Sequence, residues 1–136
     1  MPDGVENFKD RFVCIVGLGY VGLTLATVMA EAGFQVTGVE IRDNVLEKLH
    51  RGEPHFHELG LAARLKHVIQ RGNLRCFKNI PNDCQFSVFI ITVGTPFGIN
   101  GKSRLDMVVN VSREVARYLK DGDLVVMRST VKLGTT

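Results

Sequence analysis

"FVCIVGLGYVGLTLATVMAEAGFQVTGVE" (Phe12–Glu40) is the stretch that decides the fold. Its first five residues are apolar without alternation, the pattern of a strand buried on both faces. Gly17 closes that run, and Val21 to Glu31 then carries good helix formers. Gly33 stands where a helix would end in the left-handed conformation. "FQVTGVE" (34–40) returns to strand character.

The rest of the chain repeats this alternation. Arg42 to His50 and Leu61 to Gln70 have helical spacing and are separated by the Gly/Pro break "RGEPHFHELG". Leu74 to Lys78 reads as a short strand. "FSVFIITV" (86–93) is β-branched and aromatic almost throughout, the strongest buried strand of the chain. A Gly/Pro loop, "GTPFGINGKS", leads to a helix expected from Asp106 to Lys120. Asp121-Gly122-Asp123 then turns into a last strand, Asp123 to Arg128, whose four apolar residues predict burial. The order β-α-β-α-α-β-β-α-β, with nearly all-apolar strands, predicts an α/β fold: a Rossmann-like doubly wound parallel sheet covered on both sides. The chain is expected to form one domain, residues 1–136, truncated after the strand carrying Val125–Met127.

Composition narrows the function. The 136 residues are 45% hydrophobic and 23% charged, with a net charge of +3. The basic residues are scattered singly, and with no Trp and two Tyr there is little surface for stacking bases, so nucleic acid is not an expected partner. The first residues lack the positive n-region and small-residue cleavage site of a secretory signal. Phe12 to Ala30 holds 19 residues without a charge, but Gly17, Gly19 and Gly22 split it into strand and helix, so no membrane span and a cytoplasmic location are expected. Of three cysteines, Cys14 and Cys76 fall in strands and read as buried thiols. Cys84 follows "PND" and can be exposed. Nothing suggests a disulfide framework or a zinc site.

The chemistry is concentrated in "VGLGYVG". It contains G-x-G-x-x-G at Gly17, Gly19 and Gly22, after a strand and opening a helix, and Glu40 lies 18 residues beyond Gly22 at the end of the second strand. That context turns a weak pattern into a dinucleotide-binding fingerprint. Gly17 can take the tight turn, Gly19 lets the backbone approach a pyrophosphate, and Gly22 lets the helix pack close to the sheet. Unpaired N–H groups at the helix start from Val21 would face the phosphates. The Glu40 carboxylate would accept hydrogen bonds from the adenosine ribose and repel a 2′-phosphate, which favours NAD over NADP. Arg42 complicates that preference, since it can accommodate a 2′-phosphate, lie across the adenine, or extend into solvent.

Two loops after later strands reach the same sheet edge, where open α/β sheets bind ligands. In "TVGTPFG" (92–98), Thr95 offers a hydroxyl and Pro96 stiffens the turn; the loop can line the nicotinamide half of a pocket or be a plain βα turn. In "RSTV" (128–131), Ser129 and Thr130 can position a substrate or water, or cap the next helix. His55 and His57 in "HFH", with Glu58 beside them, are too few convergent ligands for a metal site, and none is expected. Asp106 is placed to stabilise a helix start.

"VCIVGLGYVGLTLA", "GEPHFHELGL", "ITVGTPFG" and "VVMRSTVKLGTT", in this order and spacing, resemble the N-terminal domain of the UDP-glucose/GDP-mannose dehydrogenases from about Phe12 to Thr136. The resemblance implies an enzyme that oxidises the C6 alcohol of a nucleotide sugar to a carboxylate in two NAD-dependent steps, through a thioester on a catalytic cysteine. It implies that Gly17, Gly19, Tyr20, Val21 and Gly22 form the cofactor loop, that Glu40 holds the ribose with Arg42 beside it, and that Thr95 lines the nicotinamide side. Thr130 matches the threonine of the family "STV" motif, which helps hold water and substrate. Glu58 matches the acid of an "EPGL" segment in which Leu59 replaces Pro; Gly94 and Lys132-Leu133 also depart from frequent prolines. The resemblance further implies a linking helix and a substrate domain beyond Thr136, carrying the catalytic Cys and Lys, so that residues 1–136 alone are expected to be inactive and the whole enzyme to be a homodimer or higher oligomer. The alternatives are the cofactor domain of a β-hydroxyacid dehydrogenase, which fits the "GTP" and "STV" loops less well, and a non-enzymatic nucleotide-sensing module.

Overall fold

The computed structural model describes residues 12–83, 85–93 and 106–128. The elements follow the expected order: β1 Phe12–Val16, α1 Tyr20–Glu31, β2 Gln35–Val39, α2 Asp43–His50, α3 Leu61–Gln70, β3 Leu74–Phe77, β4 Val88–Ile91, α4 Asp106–Ala116 and β5 Leu124–Met127. All strand pairs are parallel, and the sheet order is β3-β2-β1-β4-β5. The chain leaves β1 in one direction to build β2 and β3, then crosses back to place β4 on the other side. The β1–β4 boundary is therefore the topological switch point, where such sheets open a crevice for ligands at their carboxyl ends. In register, Val16 lies beside Val39 on one side and Ile91 on the other.

β1 shows why the apolar run does not alternate. Val13 and Ile15 pack with Leu23, Ala26, Val45, Leu49, Leu65 and Val68 from α1, α2 and α3. Cys14 and Val16 point the other way, to Phe89, Ile91, Val108 and Val115. Period-two alternation thus feeds two apolar cores, and each fully buried Val or Ile contributes about 1.5–3 kcal/mol. Thr27 is buried on the α1 face, its hydroxyl donating to the Leu23 carbonyl at 2.9 Å. Helix α1 ends at the expected glycine: Gly33 has φ +106°, its N–H reaches the Ala30 carbonyl at 3.2 Å, and the Phe34 N–H reaches Met29 at 3.1 Å. These are the two bonds of a Schellman cap, repeated at Gly52 after α2 and Gly72 after α3.

The departures lie on the far side of the sheet. The strand expected over 86–93 pairs with β1 only along Val88–Ile91. The helix expected to reach Lys120 stops at Ala116, where Arg117 and Tyr118 tighten to i−3 bonds with Glu114 and Val115. The last strand is not buried: β5 is the edge of the described sheet, and Leu124 is 55% and Val125 40% exposed. Four apolar residues in a row read as a central strand, but an edge position removes one neighbour.

Candidate cofactor site

The glycine loop sits at the carboxyl end of β1, between the ends of β2 and β4. The Gly17 N–H reaches the Val39 carbonyl at 2.8 Å, and the Thr92 N–H reaches Val16 at 2.9 Å. Gly17 has φ +98°, a conformation that L side chains rarely adopt, and a Cβ there would lie 2.9 Å from the Val93 nitrogen. A Cβ on Gly22 would overlap the Gly17 carbonyl oxygen and the Thr92 hydroxyl, so the first turn of α1 is pressed directly onto the loop. Gly19 is different, since a Cβ there would meet nothing within 4 Å among the described residues. Among these residues its side of the loop is open, with room for a group to approach the backbone.

Helix α1 begins at Tyr20 with Gly19 as its N-cap, without a side-chain cap bond or an acidic residue in the first turn. Its first N–H groups therefore keep their positive end for an external acceptor. The side chains of Tyr20 and Val21 are exposed at this mouth.

Glu40 follows β2 and is only 5% exposed. Its Oε1 accepts from the Leu18 N–H at 3.3 Å and Arg42 Nη2 at 3.2 Å; its Oε2 accepts from the Arg42 N–H at 2.9 Å and Arg42 Nε at 3.1 Å. Burial alone would push the carboxyl pKa up, but the hydrogen bonds and charge of Arg42, with the Leu18 N–H, outweigh it and hold it below the ordinary value. Arg42 folds back on the neighbouring carboxylate, with 53% of its side chain still exposed. The same negative charge acts on Cys76: burial, then Glu40, raise that thiol to about 12. Cys14 and Cys76 are both buried.

Two residues tie this site together in a role that the sequence did not reveal, although both lie in its motifs. Thr92 donates its hydroxyl to the Gly17 and Val16 carbonyls, fastening the end of β4 to the loop. His55 Nε2 donates to the Leu18 carbonyl at 2.6 Å. Leu18 is thus held on both sides of its residue, N–H by Glu40 and C=O by His55, while its side chain fills the space above Gly38 in β2. Phe56 stands with its ring centroid 4.9 Å from that of Tyr20, and Glu58 Oε2 lies 3.5 Å from the Thr24 hydroxyl. The "EPHFHEL" segment therefore folds over the start of α1. His57 is exposed, and Leu59, standing in place of the family proline, is exposed as well.

Of the residues singled out from sequence, Gly17, Gly19, Tyr20, Val21, Gly22, Glu40 and Arg42 converge on one crevice edge. Thr95, Ser129 and Thr130 lie outside the described residues, as do Cys84, Gly94 and Lys132-Leu133. A cavity of about 650 Å³ opens elsewhere, at the amino ends of the strands, beside Phe12, Gln35 and Ser87. No helix among the described residues is long and apolar enough to cross a membrane.

A parallel sheet of order 3-2-1-4-5, a glycine loop at its switch point and a buried acid at the end of β2 define a dinucleotide-binding domain. Residues 11–136 match the UDP-glucose/GDP-mannose dehydrogenase family, NAD binding domain, and the chain belongs to that family. NAD is its cofactor. The chain is 38% identical over 125 residues to UDP-N-acetyl-D-mannosamine dehydrogenase of Campylobacter jejuni, covering 91% of this chain and 30% of that protein. It superposes on the UDP-N-acetyl-D-mannosamine dehydrogenase of Pyrococcus horikoshii with a TM-score of 0.86 at 34% identity, covering 92% and 30%. A ternary complex of GDP-mannose dehydrogenase from Pseudomonas aeruginosa gives 0.81 at 32%, covering 90% and 29%. The chain spans about a third of the length of these relatives.

Proposed function

We propose that this chain is the cofactor domain of a nucleotide-sugar 6-dehydrogenase that oxidises a sugar C6 alcohol to the carboxylate in two NAD-dependent steps. The observation that carries the reading is the convergence of the open Gly19 backbone, the uncapped start of α1 and the buried Glu40 at one crevice. The N–H groups of the loop and of Tyr20, Val21 and Gly22 would hold the pyrophosphate, and Glu40 the adenosine ribose. NAD, when bound, supplies the hydride acceptor. Thr95 would line its nicotinamide side, and Thr130 would help hold water and substrate. His55 and Thr92 act by fixing the loop.

Among the described residues, Cys14 and Cys76 are buried with no access to a sugar, and the Cys76 thiol stays protonated well above neutral pH, so neither is proposed as the nucleophilic cysteine. The whole protein is proposed as a cytoplasmic homo-oligomer, and UDP-N-acetylhexosamines head its candidate substrates because the similar proteins named above include two that act on one. The test is an assay of the whole protein with UDP-N-acetylmannosamine, UDP-glucose and GDP-mannose. Two NADH per sugar oxidised by one of them supports the reading; no turnover of any, or turnover by residues 1–136 alone, contradicts it.

A further inference from the structure

An ionised carboxylate offers about four lone-pair positions. On Glu40 all four are taken: two by the backbone N–H groups of Leu18 and Arg42, and two by the forked Nε and Nη2 of the Arg42 guanidinium. The backbone donors are fixed by the fold. The guanidinium is not, because about half of its side chain (53%) is in solvent. A ribose diol also presents two adjacent donors, so it needs the two positions that the fork fills.

We propose that Arg42 is an intramolecular stand-in for the ribose diol and narrows the preference for NAD over NADP that Glu40 sets; this rests on Glu40 being the ribose-holding acid. In the free protein the fork closes the carboxylate. On binding, the hydroxyls replace it, and the guanidinium is released beside the ribose, tethered there by its own backbone N–H on Oε2. A 2′-phosphate is repelled by Glu40 but attracted by the released guanidinium, which suits phosphate geometry. Arg42 therefore weakens NAD binding by competition and softens the rejection of NADP.

The test is calorimetric titration of NAD and NADP into the wild-type protein and its Arg42→Ala, Arg42→Lys and Glu40→Ala variants, each checked for folding by circular dichroism. Arg42→Ala is expected to tighten NAD about three-fold, the scale of a screened surface pair, and to weaken NADP about ten-fold or more through loss of a charge-assisted phosphate contact. Arg42→Lys keeps the charge without the fork, so it should keep most of the NADP affinity while still tightening NAD. If Arg42→Ala changes both affinities by the same factor, or weakens NAD, the proposal is overturned while the Glu40 reading stands, provided that Glu40→Ala weakens NAD. If the wild type binds neither dinucleotide, or Glu40→Ala leaves NAD affinity unchanged, the ribose reading fails and the proposal with it.

Discussion

The two ends of the sheet differ in a way that volume does not capture. At the amino end there is a cavity of about 650 Å³, yet beside it stands an ordinary turn contact, the Lys120 N–H on the Asp123 carboxylate at 2.8 Å. At the carboxyl end the backbone is left deliberately bare. Glycines press loop, helix and strand together, a helix start has no side-chain cap, and a carboxylate with 5% exposure is held by four donors. Ligand recognition in this fold comes from oriented backbone groups and one buried charge, both fixed before the ligand arrives.

The largest expected effect breaks the crowded side of the carboxyl end. Gly22→Val puts carbon where the Gly17 carbonyl and Thr92 hydroxyl lie. It should cost about 3 kcal/mol or more in urea unfolding and abolish NAD binding; a variant with wild-type stability would show that the close helix–sheet contact is dispensable. Next is His55→Ala, which leaves the Leu18 carbonyl without its 2.6 Å donor. A loss of about 1 kcal/mol, with NAD affinity a few-fold weaker, is expected. Unchanged NAD affinity would reduce His55 to a loop anchor.

The pH dependence sharpens the contrast further. Glu40 has a carboxyl pKa lowered in the folded state, so its stabilising pair with Arg42 is fully present above the unfolded value of 4.5 and is lost as pH falls through the lowered native value. Glu40→Gln should flatten the acid side of the stability profile, by less than ~1 kcal/mol because the guanidinium is half in water. An identical profile below pH 4.5 in both proteins would contradict the pairing. Smallest of all, Gln85→Ala at the amino-end cavity should change stability by no more than ~0.5 kcal/mol and leave NAD affinity alone. A clear loss of NAD affinity there would undo the assignment of the site to one end.

Much of this was legible in the sequence, for local reasons. β1, α1 and β2 follow from an unbroken apolar run, a helical stretch and glycines at set positions, and these also placed Glu40 at the crevice. The sheet edge was not legible: Leu124 to Met127 are apolar, and only the strand order reveals that nothing described packs beyond them. The clasps on the loop were hidden for a different reason. His55 meets Leu18 across 37 positions and Thr92 meets Gly17 across 75, contacts made by long returns of the chain with no periodic trace. Arg42 is the reverse case, only two positions from Glu40, yet its fold-back depended on a buried carboxylate with two open lone-pair positions.

The central claim is that the buried Glu40 carboxylate and the bare glycine loop hold NAD. Calorimetric titration of NAD into the wild-type protein and a folded Glu40→Ala variant tests it most directly. NAD is expected to bind more tightly than NADP and to be weakened at least about ten-fold by the substitution, the scale of lost charge-assisted bonds. Equal NAD binding by both proteins would contradict it.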